Sequence, residues 1–182
     1  MLTQHQCPQN LNKVNEMVNN LNANPEAKFS ILDSGIPTEK LAELVKFADQ
    51  HHQDLLLSNP NNEDTDDLKI YITDETLAKY LGEDAVKHLQ ELFGKHSETI
   101  IRRCQSHGKM IDFHTDHSFR TMQVALNDDT EFVGGRLMFA SEGKLQAPAR
   151  PKGTISIHDN TIAHGVTRLE SGTRYGLFFL DQ

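Results

Sequence analysis

The sequence predicts a single α+β domain in which helices from the first half of the chain pack against a β-rich second half. The chain has 182 residues, which is the usual length of one domain. Between residues 37 and 93, apolar residues recur at helical spacing in two long stretches. After residue 98, short β-rich runs alternate with turn residues, and this change of pattern favours the α+β class.

Helices are predicted in the first half of the chain. Residues 1–26 form an N-terminal extension, in which Asn10–Asn22 has the apolar periodicity of an amphipathic helix. Pro37 favours a helix start, and the helix that follows is expected to end near Leu57. Its predicted apolar face contains Leu41, Leu44, Val45, Phe47 and Ala48. A further helix is predicted over Glu75–Phe93, with a possible break near Gly82.

Strands are predicted in both halves. Lys28–Asp33 and Leu68–Ile72 are the strands of the first half, and the acidic run Asn59–Asp67 is expected to be an exposed loop. Those of the second half are Ile100–Gln105, Met110–His114, Arg120–Leu126, Arg136–Phe139, Thr154–His158, His164–Thr167 and Arg174–Leu180. Short strands with regular turns are typical of an all-β barrel or sandwich, which we place at residues 98–182.

Composition and charge limit the possible partners. The net charge of -8 argues against nucleic acid or an anionic membrane, because both need a basic surface. No apolar run approaches the roughly 20 residues that span a bilayer. The two cysteines, Cys7 and Cys104, cannot form a disulfide framework or a four-cysteine zinc site. We therefore expect a reducing, cytoplasmic location.

A candidate metal site begins with His114 and Asp116, at the end of a predicted strand. Side chains two apart in a strand leave the same face, so the imidazole and the carboxylate point into one space. A divalent ion needs a third ligand, which His164 at the start of a later strand can supply, with His158 as the competing histidine. Two histidines and one carboxylate are typical of non-haem iron(II) oxygenases.

Arg174 is the second residue that indicates a ligand-binding site. It lies ten residues after His164 in a strongly apolar strand, where burial without a partner would be costly. The carboxylate of a bound ligand would satisfy its planar guanidinium. Arg168 competes for this role but lies nearer to the strand end.

Together these motifs resemble the Fe(II)- and 2-oxoglutarate-dependent dioxygenases, in particular their prolyl-4-hydroxylase-like branch. The similarity runs from Phe29 to Gln182 and includes the opening strand and helix, His114-Thr-Asp116, the double glycine Gly134-Gly135, His164-Gly-Val-Thr and Gly172-Thr-Arg-Tyr. It implies a double-stranded β-helix (jelly-roll) core. It also implies iron bound by His114, Asp116 and His164, with Arg174 paired to the distal carboxylate of 2-oxoglutarate.

The resemblance also implies an activity. The enzyme would use O2 and 2-oxoglutarate to hydroxylate an unactivated C–H bond, releasing succinate and CO2, with ascorbate as reductant. Because Ile111 stands where a cosubstrate-binding tyrosine is common, Thr121 and Tyr175 are candidates for the missing hydroxyl. The substrate is expected to be a small molecule or an amino-acid or peptidyl residue. Its candidate contacts are His158, Arg120 and Arg136.

Two other functions fit part of the pattern. A non-catalytic jelly-roll module that senses a metal or ligand would keep the same ligand residues. A zinc hydrolase is the second alternative. The residues Asp112, His114, Asp116 and His117 differ at only one position from the metallo-β-lactamase-like motif. The chain is short for that fold, and its pattern of elements differs.

Overall fold

The computed structural model describes residues 28–59, 65–106 and 110–182, which contain three helices and twelve strands. The helices are α1 (Thr38–Ser58), α2 (Asp74–Leu81) and α3 (Glu83–Phe93). The strands are β1 (Ser30–Asp33), β2 (Asp67–Tyr71), β3 (Glu98–Gln105), β4 (Ile111–His114), β5 (Arg120–Ala125), β6 (Val133–Gly134), β7 (Leu137–Ser141), β8 (Lys144–Gln146), β9 (Thr154–Asp159), β10 (Ala163–Val166), β11 (Leu169–Ser171) and β12 (Thr173–Asp181). The predicted helix Asn10–Asn22 and most of the acidic run lie outside the described residues.

The helices follow the signals in the sequence. Pro37 precedes α1, and the predicted apolar face of α1 is buried at Leu41, Leu44 and Ala48. The predicted helix Glu75–Phe93 is broken at Gly82, whose φ of 88° favours a residue without Cβ. No helix in the described part of the chain is long and apolar enough to cross a membrane.

The strands form two facing sheets, and their order defines a double-stranded β-helix. A large antiparallel sheet has the order β1-β9-β5-β12-β3-β2, and a smaller one has the order β4-β10-β7-β8. β11 and β6 form a separate two-stranded pair. The predicted jelly-roll core, buttressed by helices, is therefore confirmed, and β1 and β2 extend it with strands from the first half of the chain.

The two faces of the large sheet have different roles because side chains alternate along each strand. Met122, Val124, Leu177 and Phe179 face the helices and belong to the main hydrophobic core. Each fully buried side chain of this kind contributes about 1.5–3 kcal/mol by leaving water. The alternate residues, which include Thr121 on β5, face the small sheet and line a cavity between the two sheets.

The sequence pattern does not predict the short strands β6, β8 and β11, because two or three residues carry too little pattern.

Steric contacts explain the double glycine Gly134-Gly135 at the end of β6. A Cβ at Gly134 would lie 2.0 Å from the carbonyl oxygen of Arg168, which no side chain could tolerate. Glycine therefore allows β6 to pair closely with β11.

Candidate metal centre and ligand cavity

Three side chains converge at one end of the cavity. β4 and β10 are antiparallel neighbours in which His114 pairs with His164, and Asp116 lies in the loop after β4. The Nε2 atoms of His114 and His164 each lie 3.5 Å from Oδ1 of Asp116. All three candidate ligand atoms lie within 4.8 Å of one another. First-row metal ions bind nitrogen and oxygen at about 2 Å, so one ion fits between these atoms.

The hydrogen bonds of the two histidines leave the correct nitrogen free for coordination. Nδ1 of His114 lies 2.7 Å from the carbonyl oxygen of Asp112, and Nδ1 of His164 lies 3.3 Å from that of Ile162. A carbonyl oxygen can only accept, so Nδ1 carries the proton in each ring. Each Nε2 then presents a lone pair to the centre, as a metal ligand must.

The electrostatics of the cluster also suit a cation. Burial acts to raise the pKa of Asp116, but the surrounding histidines and the Thr121 hydroxyl outweigh it and hold that pKa well below its ordinary value. Burial, and next to it the electrostatic effect of the neighbouring His158, lower the pKa of His164 to about 4. At neutral pH the site therefore holds an ionised carboxylate and a neutral His164, which are the protonation states that bind a divalent ion.

The cavity beside this cluster is mostly apolar. Its volume of ≈ 200 Å³ is below the roughly 300–1,000 Å³ of sites for drug-sized ligands, so it suits a small ligand. Most of its surface is apolar, and the apolar side chains in its wall are those of Ile100, Ile111, Leu137, Val166, Phe178 and Leu180. Its polar lining outside the metal cluster consists of Lys69, Arg102, Gln123 and Arg174, together with Thr121 and His158 next to Asp116.

Arg174 is the buried cation of this cavity. Its side chain lies on the inner face of β12, and the residue is only 6% exposed. Its Nη2 atom is buried and has no hydrogen-bond partner among the described residues. Burial lowers the pKa of Arg174, which reflects the cost of a charge held away from water. An anionic ligand in the cavity would remove that cost. The competing Arg168 is exposed and is absent from the cavity wall.

Thr121 and His158 line the cavity next to Asp116. Thr121 Oγ1 donates to Oδ2 of Asp116 at 2.5 Å, and Nε2 of His158 lies 3.1 Å from the same oxygen. The hydroxyl of Thr121 is thus engaged with a candidate metal ligand. Its predicted contact with the cosubstrate stays a prediction, as does the contact of His158 with substrate.

Three predicted site residues do not line this cavity, and their predicted contacts with cosubstrate or substrate stay predictions. Tyr175 faces the helices, where its hydroxyl donates to Asp49 Oδ1 at 2.6 Å and its pKa rises to about 12 through burial and that carboxylate. Arg120 also turns away from the cavity, and its Nη2 donates to the Phe93 carbonyl oxygen at 2.7 Å. Arg136 is exposed and forms an ion pair with Asp129.

Three cavity residues were missed by the sequence interpretation. Gln123 follows Thr121 by two positions on β5, so strand alternation alone could have indicated it. Lys69 and Arg102 are register partners on β2 and β3. Arg102 is held by a bidentate ion pair with Asp67, which lies 35 residues earlier, and no local pattern signals that contact.

The ligand set does not match the zinc hydrolase alternative. Among the described residues, one group of His, Cys, Asp or Glu side chains could hold an ion, and it consists of His114, Asp116 and His164. His117 is exposed and is not part of that group. A two-zinc cluster would need it.

No protein-family model matches this chain, and no curated protein matches it in sequence. Solved structures do match it. A prolyl hydroxylase from Trichoplax adhaerens, in complex with a peptide fragment of the hypoxia inducible factor oxygen degradation domain, is 17% identical with a TM-score of 0.59, covering 98% of this chain and 94% of that one. A prolyl-4-hydroxylase from Pseudomonas putida is 16% identical with a TM-score of 0.59, covering 91% and 99%.

A third similar structure is a complex with 2-oxoglutarate. The viral collagen prolyl hydroxylase from Paramecium Bursaria Chlorella virus-1, in its 2OG complex, is 13% identical with a TM-score of 0.57, covering 84% of this chain and 93% of that one. At these identities the likeness establishes the fold. The chain has the double-stranded β-helix fold that these 2-oxoglutarate oxygenases share.

Proposed function

We propose that this protein is an Fe(II)- and 2-oxoglutarate-dependent dioxygenase that hydroxylates an unactivated C–H bond. One observation carries the proposal. Two histidines and a carboxylate, whose ligand atoms lie close together, line the same small cavity as the buried guanidinium of Arg174, whose Nη2 atom has no hydrogen-bond partner among the described residues. A metal site alone would fit many functions, but a metal site and a buried cation in one apolar cavity suit a ligand with a carboxylate at its far end.

The residues of the chain fit an iron ion and 2-oxoglutarate. His114, Asp116 and His164, which line the cavity, would hold the iron. Iron and 2-oxoglutarate, when bound, would supply the chemistry that activates O2, and succinate and CO2 are the expected products. The protein binds and orients these groups, and its apolar wall excludes water from the reacting centre.

Arg174 is the residue we assign to the distal carboxylate of 2-oxoglutarate. A guanidinium binds a carboxylate through two parallel hydrogen bonds, which fixes the direction of the ligand as well as its charge. Gln123 lines the same cavity and lies next to Gly176, where a Cβ would be 2.9 Å from the Gln123 Nε2 atom. Glycine at that position makes room for the amide, which can donate to the same ligand.

The cavity wall supports a substrate with an aliphatic group. Its small volume suits a small molecule or one side chain of an amino acid or peptide. Lys69 is exposed at the cavity wall on the edge strand β2, and a carboxylate on the substrate would complement it. The peptide in the Trichoplax adhaerens complex belongs to that enzyme, and the present chain shares only its fold.

Succinate release tests the proposed function directly. We expect purified protein with ferrous iron, 2-oxoglutarate, ascorbate and air to release succinate slowly without substrate and faster with a correct one. Omitting iron should abolish the release. Binding of iron and 2-oxoglutarate without any turnover across a broad substrate panel would instead favour a sensor. Tight zinc binding with indifference to 2-oxoglutarate would favour a hydrolase.

A further inference from the structure

The two oxygens of Asp116 have different partners. Oδ1 faces the Nε2 atoms of His114 and His164, both at 3.5 Å. Oδ2 faces away from them, where it accepts from Thr121 Oγ1 at 2.5 Å and contacts His158 Nε2 at 3.1 Å. One oxygen is therefore available to an ion, and the other is already held by the protein.

The strand register explains why two donors meet at Oδ2. β5 and β9 are antiparallel neighbours in which Thr121 pairs with His158, and both side chains point into the cavity. Ser118 Oγ lies 2.9 Å from Thr121 Oγ1. Because the single proton of the Thr121 hydroxyl is donated to Asp116, the Ser118 hydroxyl must be the donor in that contact. Both donors to Oδ2 are thus fixed by the fold.

His158 is held in one orientation by its surroundings. Its side chain is 3% exposed, and its ring lies 4.3 Å from the His164 ring and 5.4 Å from the Phe139 ring, measured between centroids. An ionised carboxylate can only accept, so Nε2 of His158 carries a proton and donates it. Nδ1 is buried and has no hydrogen-bond partner among the described residues. Among the described residues, Asp116 is therefore the one hydrogen-bond partner of the His158 ring.

We propose that His158 is a positioning residue that holds Oδ2 of Asp116, so that the carboxylate binds the metal through Oδ1 alone. The inference rests on the proposed function, since it assumes that Asp116 is a metal ligand. A carboxylate that bound through both oxygens would occupy a coordination position that the cosubstrate or oxygen needs. Residues that orient metal ligands typically change metal affinity roughly 10–100-fold when they are replaced.

Two variants separate the hydrogen bond from the packing of the ring. His158→Gln keeps an N–H donor near the position of Nε2, whereas His158→Leu fills similar space without any donor. The probe is Co²⁺, whose affinity is measured by competition with a chelator and whose visible absorption reports its coordination number. We expect His158→Leu to weaken Co²⁺ binding roughly 10–100-fold and to change the spectrum. His158→Gln should bind Co²⁺ like the wild type, with the same spectrum.

The outcomes against the inference are distinct. Unchanged Co²⁺ affinity and spectrum in His158→Leu would overturn it. Equal losses in both variants would also overturn it, because ring packing or direct coordination by His158 would then be responsible. If His158→Leu does not fold, as judged by circular dichroism, His158→Phe replaces it with the same expectations. Failure of the wild-type protein to bind Co²⁺ would instead contradict the proposed function.

Discussion

His114 and His164 are register partners on the adjacent antiparallel strands β4 and β10, and their ring centroids lie 4.5 Å apart. The two histidines are 50 positions apart in the sequence, yet strand pairing alone brings them together. The geometry of the candidate metal site therefore depends on how closely β4 approaches β10. Gly165 lies at the irregular part of this pairing, between His164 and Val166.

Gly165→Ala should weaken metal binding without changing any ligand. A Cβ at this position would lie 2.9 Å from the carbonyl oxygen of Ile111, so β4 must move away from β10. We expect a loss of about 1–3 kcal/mol in the free energy of unfolding and a clear loss of metal affinity. Thermal unfolding and a Co²⁺ titration measure the two effects. Gly143→Ala is the control for metal affinity, because its φ of 72° disfavours alanine and should lower stability, whereas its Cβ would meet no atom within 4 Å.

Asp116→Ala should abolish iron-dependent succinate release while the fold survives. The side chain faces the cavity and is not part of the hydrophobic core, so its loss leaves the packing intact. Succinate assays and circular dichroism measure activity and fold. His117→Ala is the matched control, because His117 is exposed and lies next to Asp116 without joining the ligand group. Full activity in Asp116→Ala would remove this residue from the metal site.

Arg174→Met should have opposite effects on ligand binding and on the ligand-free protein. Losing the partner of a buried carboxylate should weaken 2-oxoglutarate binding by about 2–5 kcal/mol. Without ligand, however, the variant should be as stable as the wild type or more stable, because it removes a buried guanidinium whose Nη2 has no hydrogen-bond partner in the described part of the chain. Calorimetry with metal-loaded protein and thermal unfolding of the ligand-free protein measure these effects. Arg168→Met, at an exposed position, is the control. Unchanged 2-oxoglutarate affinity in Arg174→Met would show that another residue binds the distal carboxylate.

Tyr175→Phe should lower stability and leave 2-oxoglutarate affinity unchanged. The Tyr175 hydroxyl donates to Asp49 on the helix side of the large sheet, and a hydrogen bond of this kind contributes about 1 kcal/mol. Chemical denaturation measures the first effect, and a binding titration measures the second. Weaker binding of 2-oxoglutarate in this variant would show that Tyr175 does contribute to the site.

Much of the fold was predictable from local pattern. The helix α1 begins one residue after Pro37 and ends one residue after Leu57, and the break at Gly82 was expected from the same kind of signal. Periodicity and turn residues act within a few positions, so they are visible in the sequence. The short strands β6 and β11 and the pairing order of the sheets depend on contacts between distant residues, and the sequence alone does not show them.

The predicted site residues that do not line the cavity have the same physical explanation. Tyr175 was assigned to the cavity by family resemblance, although strand alternation places it on the face opposite to Arg174. Arg120 has its partner at Phe93, 27 residues earlier. The contact between His158 and Asp116 spans 42 residues and follows from the β5–β9 register. Only a folded chain shows which of these polar side chains meet.

The cytoplasmic location stays a prediction.

Binding of 2-oxoglutarate to metal-loaded protein under anaerobic conditions tests the central claim most directly. The claim requires that His114, Asp116 and His164 hold an ion and that Arg174 binds the far carboxylate of the same ligand. We predict that 2-oxoglutarate binds in the presence of ferrous iron, that it binds much more weakly without the metal, and that Arg174→Met loses most of this binding. Affinity that does not depend on the metal, or that survives in Arg174→Met, would contradict the account.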